Sequence, residues 1–132
     1  MSPPQKAVAA SDGACARISP RQREGFAAER RALDYLLSQG LKPVARNFRV
    51  RVGELDLVMT DGEELVFVEV RRRASARFGG AAASVTAAKR MRLRRAAQAF
   101  LAASFGVRCW PPLRFDVIAI EGERIDWIRG AF

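Results

Sequence analysis

Asp56 and Glu69 are the two residues of this chain whose type and spacing most directly suggest chemistry. They lie in two runs of alternating side chains on either side of Asp61-Gly62, a strong hairpin signal. Since successive side chains of a strand point to opposite faces, an even number of loop residues brings both carboxylates to one face. A two-residue loop sets them diagonal to each other, and a four-residue loop ending at Glu64 sets them directly opposite.

Two neighbouring carboxylates repel unless a proton or a cation lies between them. The run around Glu69 has the apolar character of a buried central strand, in which an unpaired charge is costly. The pair therefore predicts a hard divalent cation bound by oxygens. The alternative is a salt bridge from Glu69 to a nearby arginine, and Arg71 lies on the same predicted face.

Glu29 is a third candidate acid, because it lies on the predicted sheet-facing stripe of the first helix, between Phe26 and Leu33. A glutamate on such a stripe is unusual and could extend over the carboxylate pair. The alternative is an ion-paired residue at the edge of the helix.

The chain contains no histidine, which excludes a Ser-His-Asp triad, a Cys-His pair and a histidine-ligated zinc site.

Lys89 is one of only three lysines, beside 20 arginines, and it lies four residues before Leu93 on the inward stripe of the second predicted helix. An amine in that position could reach the carboxylate site. The alternative is a residue near the helix start whose chain extends to solvent.

The net charge of +9 is concentrated in one segment, since Val70 to Phe115 holds eleven bases and no acid. Such a segment favours a polyanion such as DNA or RNA, and the alternative is a solvated basic surface. A helix start with free backbone N–H groups can also hold a phosphate, although ordinary capping explains the same residues. The candidate nucleic-acid-binding residues are Arg72, Arg73, Arg77, Ser84, Thr86, Arg90, Arg92, Arg94 and Arg95.

The elements that must hold these residues follow from hydrophobic periodicity and turn signals. Their order, α-β-β-β-α-β-β, predicts an α/β domain with a mixed β-sheet flanked by helices. The first predicted helix is Arg21 to Gln39, and the second begins at about Ser84 or Thr86 and ends at Ser104. The predicted strands are Pro43 to Val50, Gly53 to Thr60, Leu65 to Arg72, Leu113 to Ile120 and Arg124 to Ile128.

Residues 1–20 are rich in Ala, Ser, Pro and Gly without periodicity and predict a flexible tail before a single domain at 21–132. No apolar run reaches the roughly 20 residues that a membrane helix needs, and the start lacks a secretory signal. We therefore expect a cytoplasmic protein without a membrane partner.

Several segments, in order and with fitting spacing, resemble the YraN family of bacterial proteins. The most specific is the run from Gly53 to Arg73, which contains Gly-Glu-Leu-Asp-Leu-Val and Val-Phe-Val-Glu-Val-Arg. Further matching segments are Gly25 to Glu29, Arg46 to Arg49, Phe78-Gly79, Ser84 to Thr86, Lys89, Arg114 to Val117 and Ala131-Phe132.

That family resembles Holliday-junction resolvases and other PD-(D/E)XK nucleases of the restriction-endonuclease-like fold. The resemblance implies that Asp56, Glu69 and Glu29, helped by the Val70 carbonyl, bind Mg²⁺ or Mn²⁺. It further implies an endonuclease acting on nucleic acid, with DNA favoured over RNA, and it leaves linear or branched substrates and a homodimer open. The alternative is a binding module of the same fold with little or no catalysis.

The sequence departs from the family pattern at one position, because Arg71 occupies the place of the motif lysine. Arginine stays protonated, so it can stabilise a phosphate but cannot act as a base. Either Arg71 serves in a reduced role or Lys89 supplies the amine from the second helix.

Overall fold

The computed structural model describes residues 19–72, 85–106 and 109–132, which form a five-stranded mixed sheet with a helix on each face. This confirms the predicted class and element order. The elements are α1 (Pro20–Ser38), β1 (Lys42–Val50), β2 (Gly53–Asp61), β3 (Glu64–Arg72), α2 (Ala87–Phe105), β4 (Leu113–Glu121) and β5 (Arg124–Ile128). Most of the predicted tail, 1–20, lies outside the described residues, as does the segment 74–83, which the sequence predicts to be a loop. Neither described helix is long and apolar enough to cross a lipid bilayer.

The strands lie in chain order, β1-β2-β3-β4-β5, and every neighbouring pair is antiparallel except β3 and β4. A parallel pair needs a crossover connection, and α2 supplies it. One face of the sheet packs on α2 and the other on α1. The adjacent inner strands β3 and β4 are therefore covered on both sides.

Helix α1 begins with a capping box, in which Ser19 and Gln22 exchange side-chain to backbone hydrogen bonds before Pro20 opens the first turn. The helical spacing of Phe26, Leu33, Leu36 and Leu37 predicts its buried stripe, but Phe26 and Leu37 are 39% and 42% exposed. Half of the residues that enter the core are small, since Ala28 and Ala32 lie beside Leu33 and Leu36. Small side chains let the helix approach the sheet closely, and this brings Glu29 near the strands.

Helix α2 is capped by Thr86, whose hydroxyl accepts the N–H of Lys89. The helical spacing of Leu93, Ala97, Phe100 and Leu101 predicts a buried stripe, and all four residues are buried. Lys89 lies one turn before Leu93, at the N-terminal end of that stripe and beside the end of the sheet.

The hairpin between β2 and β3 turns at Gly62 and Glu63, since Asp61 pairs with Glu64. Gly62 has a φ of 65°, a backbone conformation that glycine adopts without cost. The resulting register, with Thr60 opposite Leu65, is the one that the four-residue-loop alternative predicted. Continuing that register brings Asp56 opposite Glu69.

The side-chain alternation of β2 breaks at Asp56, which differs from the predicted regular strand. Leu57 packs with α1, whereas Leu55, two residues away, packs with the α2 side of the sheet. The regular pairing with β3 also ends at Leu57 and Val68, although both strands continue. The two strands therefore part at the carboxylates.

On β4, Asp116 lies opposite Val68 of β3, is fully buried and accepts hydrogen bonds from three groups. Its donors are the Arg114 guanidinium at 3.0 Å, the Trp127 indole at 2.9 Å and the Gly130 N–H at 3.0 Å. Arg114 also binds the carboxylates at both ends of the hairpin turn, Asp61 at 3.0 Å and Glu64 at 2.7 Å. This network ties β4 to the β2–β3 turn and to β5.

We predict that Asp116→Ala lowers the free energy of unfolding by about 3–5 kcal/mol, because it leaves buried donors without an acceptor. Urea denaturation measures the loss. Asp126→Ala, which removes an exposed carboxylate paired with Arg124 on β5, is the control and should change stability by less than about 0.5 kcal/mol. Equal losses in the two variants would contradict a structural role for the network.

Candidate functional site

The two strands part into a cleft of about 700 Å³, bounded by α1, the turn between β1 and β2, and the first turns of α2. Four acids lie along it, Glu29, Glu54, Asp56 and Glu69. Six bases line it as well: Arg49, Arg51, Arg71, Arg72, Lys89 and Arg92. All five residues predicted to be catalytic therefore line one cleft, although they come from four separate elements.

Asp56 lies at the point where the β2–β3 ladder ends, and its carboxylate accepts the N–H of Val70 at 2.9 Å. The Asp56 carboxylate thus replaces the strand carbonyl that would otherwise accept the Val70 N–H. This bond fixes the Asp56 carboxylate beside β3, next to Glu69.

Burial raises the pKa of the Asp56 carboxyl well above its ordinary value of 3.8, and the negative charges of Glu69 and Glu29 raise it further. The N–H of Val70 opposes this shift only in part. The geometry therefore holds like charges together, as a site for a proton or a cation would.

Glu69 is only 5 % exposed, and two cations of the chain lie beside it. The Lys89 ammonium approaches Glu69 Oε2 at 2.9 Å, and the Arg71 guanidinium approaches the same oxygen at 3.6 Å. Lys89 from α2 is thus the nearer counter-ion, and Arg71 has the more distant contact.

Glu29 faces the same cleft from α1, and burial raises its pKa. A hydrogen bond from Asn47 and the charges of Arg46 and Arg49 oppose the shift, while the charge of Glu54 adds to it. One carboxylate oxygen, Oε1, is buried without a hydrogen-bond partner. A buried acceptor left in this way is rare and marks a position where a donor or a cation would be stabilised.

The donor set fits a hard cation, since it consists of carboxylate oxygens together with the backbone at Val70. Magnesium is often held by only one or two protein carboxylates. Within the described ranges, no group of three or more acids, histidines or cysteines is close enough to hold one ion. The residues therefore fit a site based on Asp56 and Glu69, with Glu29 acting from a greater distance.

The residues predicted to bind nucleic acid are more dispersed. Arg92 lines the cleft, and Arg95 is exposed on α2. Arg72 pairs with Glu24 of α1 at 3.0 Å, also beside the cleft. Arg90 and Arg94 lie over the ring of Phe132, 5.2 Å and 5.6 Å from its centroid.

Thr86 acts as the N-cap of α2, so its hydroxyl already has a donor. Arg73, Arg77 and Ser84 lie outside the described residues.

The sequence analysis missed Asn47 and the two arginines of the β1–β2 turn, Arg49 and Arg51. Asn47 has a φ of 52°, which asparagine tolerates better than most residues, and its amide contacts Glu29. An asparagine inside a strand pattern is a weak signal that could have marked it. Arg49 ends the family-like segment Arg46 to Arg49, whereas no local signal marks Arg51, which precedes the acid-free segment.

The fold and the cleft define a mixed α/β domain with paired carboxylates at the divergent ends of two strands. Residues 28–120 match the model of "Uncharacterised protein family UPF0102", and the chain belongs to this family. The resemblance to the YraN family is thereby confirmed.

Bacterial relatives cover most of the chain. The UPF0102 protein of Bordetella parapertussis is 53% identical over 98% of this chain and 75% of its own length. That of Halorhodospira halophila is 55% identical over 88% of this chain and 91% of its own. That of Ralstonia nicotianae is 58% identical over 82% of this chain and 85% of its own length.

We predict that Asp56→Asn raises the free energy of unfolding of the metal-free protein at neutral pH by about 0.5–2 kcal/mol. Stabilising substitutions of this kind commonly reduce function. The folded protein holds the Asp56 proton at a higher pH than the unfolded chain, so stability falls as the pH rises above 3.8 through the raised pKa. Asparagine removes this loss and keeps an oxygen for the Val70 N–H. Thermal melting in EDTA from pH 4 to 8 measures the difference.

Asp34→Asn is the matched control, because it changes an exposed carboxylate paired with Arg30 on α1. It should leave the pH dependence of the melting temperature unchanged. If Asp56→Asn melts below the wild type at neutral pH, the interaction between the carboxylates does not destabilise the fold.

Proposed function

We propose that the protein is a metal-dependent endonuclease that hydrolyses phosphodiester bonds of nucleic acid, DNA rather than RNA. The observation that carries the proposal is the convergence of Asp56 and Glu69 beside Lys89, in a cleft that six bases also line. The resemblance to junction resolvases supports DNA as the substrate and extends it to branched DNA.

The cleft combines two chemical demands of phosphodiester hydrolysis. The oxygens of Asp56 and Glu69 would hold Mg²⁺ or Mn²⁺, with Glu29 and the Val70 carbonyl in support. Such an ion lowers the pKa of a water and neutralises charge on the scissile phosphate. The basic side chains attract the polyanion and hold its phosphates near the carboxylates.

Lys89 has the chemistry that the reaction requires of a cation. Its ammonium lies 2.9 Å from Glu69, so it is oriented before a substrate arrives. It would stabilise the negative charge that develops on the phosphate as water attacks phosphorus and the P–O bond to the leaving oxygen breaks. The leaving oxygen takes up a proton, which completes hydrolysis. Arg71 would assist as a permanent charge.

The second candidate function is a nucleic-acid-binding module of the same fold with weak catalysis. The observation that favours it is the pairing of Glu69 with both Lys89 and Arg71, since two internal counter-ions compete with a metal for the same oxygen. Metal dependence separates the two functions.

A cleavage panel tests the proposal directly. Linear, flapped and four-way DNA are incubated with Mg²⁺ or Mn²⁺, with the corresponding RNA substrates in parallel. We expect metal-dependent cleavage of DNA that Asp56→Ala reduces by at least about 10²-fold. Cleavage that persists in Asp56→Ala would indicate a contaminating nuclease, and binding without cleavage would favour the second candidate.

We predict that Lys89→Met lowers the cleavage rate constant by about 10²-fold or more, because one oriented charge at a phosphoryl-transfer site is lost. Arg71→Gln should cost less, since its contact with Glu69 is longer. Single-turnover cleavage measures both, and melting temperatures verify that each variant folds.

Lys89→Arg is the matched variant, because it keeps the charge but cannot release a proton. Retained activity in this variant assigns an electrostatic role to the amine, whereas a loss together with an altered pH–rate profile assigns a role in proton transfer. Wild-type rates in Lys89→Met would exclude Lys89 from catalysis.

A further inference from the structure

We propose that the turn between β1 and β2 is a second phosphate-binding wall of the cleft, in which Arg49 and Arg51 contact the sugar–phosphate backbone of the nucleic acid. The inference rests on the proposed function, because it assigns new residues to the binding of the same substrate. It adds a contact surface outside the acid-free segment that runs from Val70 to Phe115.

The last residues of β1, the turn and the first residue of β2 line the cleft without interruption, from Arg49 to Gly53. Arg49, Arg51 and Val52 are all exposed there, so the two guanidinium groups project at the rim and not into the core. The same rim carries Arg92 from α2. Three arginines from two separate elements thus surround one entrance.

Arg49 has a local partner that does not prevent such a contact. Its Nε lies 3.1 Å from Glu54 Oε2, and the two side chains are 66% and 58% exposed. Exposed ion pairs of this kind are weak, because water and salt screen them. A phosphate can therefore replace or share the carboxylate at the guanidinium.

The backbone contact at Gly53 holds the turn at a fixed position. A Cβ atom at Gly53 would lie 2.6 Å from the carbonyl oxygen of Arg92, so only glycine lets the turn pack directly on α2. This contact joins the turn to the helix that carries Lys89. The arginines of the turn are thereby held at a constant distance from the catalytic end of the cleft.

Charge balance gives a reason for a second wall. Four acids lie in the cleft, and a phosphate approaching them is repelled unless bases surround it. Arg71, Arg72 and Arg92 supply such bases from β3 and α2. Arg49 and Arg51 supply them from β1 and the adjoining turn, and a backbone lying in the cleft would then have cations on two sides.

The test measures the binding of labelled duplex and four-way DNA in EDTA, where no metal-dependent cleavage occurs. Arg49→Gln and Arg51→Gln should each weaken binding by about 3–10-fold near 0.1 M salt. Each should also lower the slope of log K against log salt by about 0.9, the contribution of one phosphate contact to duplex DNA.

Arg30→Gln is the matched control for Arg49→Gln. Arg30 pairs with Asp34 at 3.2 Å, with 65% and 58% exposure, so it loses an equivalent ion pair outside the cleft. Its affinity and salt slope should equal those of the wild type. In cleavage assays, the two variants of the turn should raise KM and leave kcat unchanged, which a general loss of folding would not do.

The outcomes separate this inference from the proposed function. If the wild type binds DNA and both variants of the turn behave like Arg30→Gln, the second wall is wrong and the nuclease proposal stands. If the wild type binds no DNA at low salt, both proposals are wrong. If Arg49→Gln and Arg51→Gln lose affinity for DNA while Asp56→Ala cleaves like the wild type, the cleavage comes from a contaminating nuclease. The second phosphate-binding wall is then supported, and the protein is a binding module.

Discussion

The repulsion between Asp56 and Glu69 is the constraint on which the rest of the site depends. Burial and the neighbouring negative charge raise the pKa of Asp56, so the ionised pair is unfavourable without a counter-charge. The surrounding structure opposes the repulsion with the Val70 N–H on one carboxylate and the Lys89 ammonium on the other. The cleft is therefore a locally costly arrangement that the remaining fold must stabilise.

The topology explains how one small domain meets this constraint. Because β3 and β4 are parallel, the chain must cross the sheet between them, and the crossover helix α2 carries Lys89 over the end of β3. Helix α1 covers the opposite face and contributes Glu29 through its closely packed alanines. The central strand β3 thus carries Glu69. Its parallel pairing with β4 also requires the crossover that places α2 beside that residue.

The two ends of the β2–β3 hairpin have opposite electrostatic character. At the turn, Asp61 and Glu64 share the guanidinium of Arg114, which also donates to the buried Asp116 farther along β4. At the open end, like charges are held together and one oxygen of Glu29 lacks a partner. The carboxylates beside the turn are thus matched by a cation, whereas those at the open end lie close to one another.

The sequence by itself determined the element order, the shared face of Asp56 and Glu69, the stripe of α2 and the family, because each depends on local periodicity or on matching segments. Only the tertiary structure decided the break of alternation at Asp56, the small-residue contact of α1, the Asp116 network and the position of Arg49 and Arg51 beside the cleft. These features arise from contacts between residues distant in the chain. Periodicity reports which face a residue occupies, but the packing of a neighbouring element decides what lies on that face.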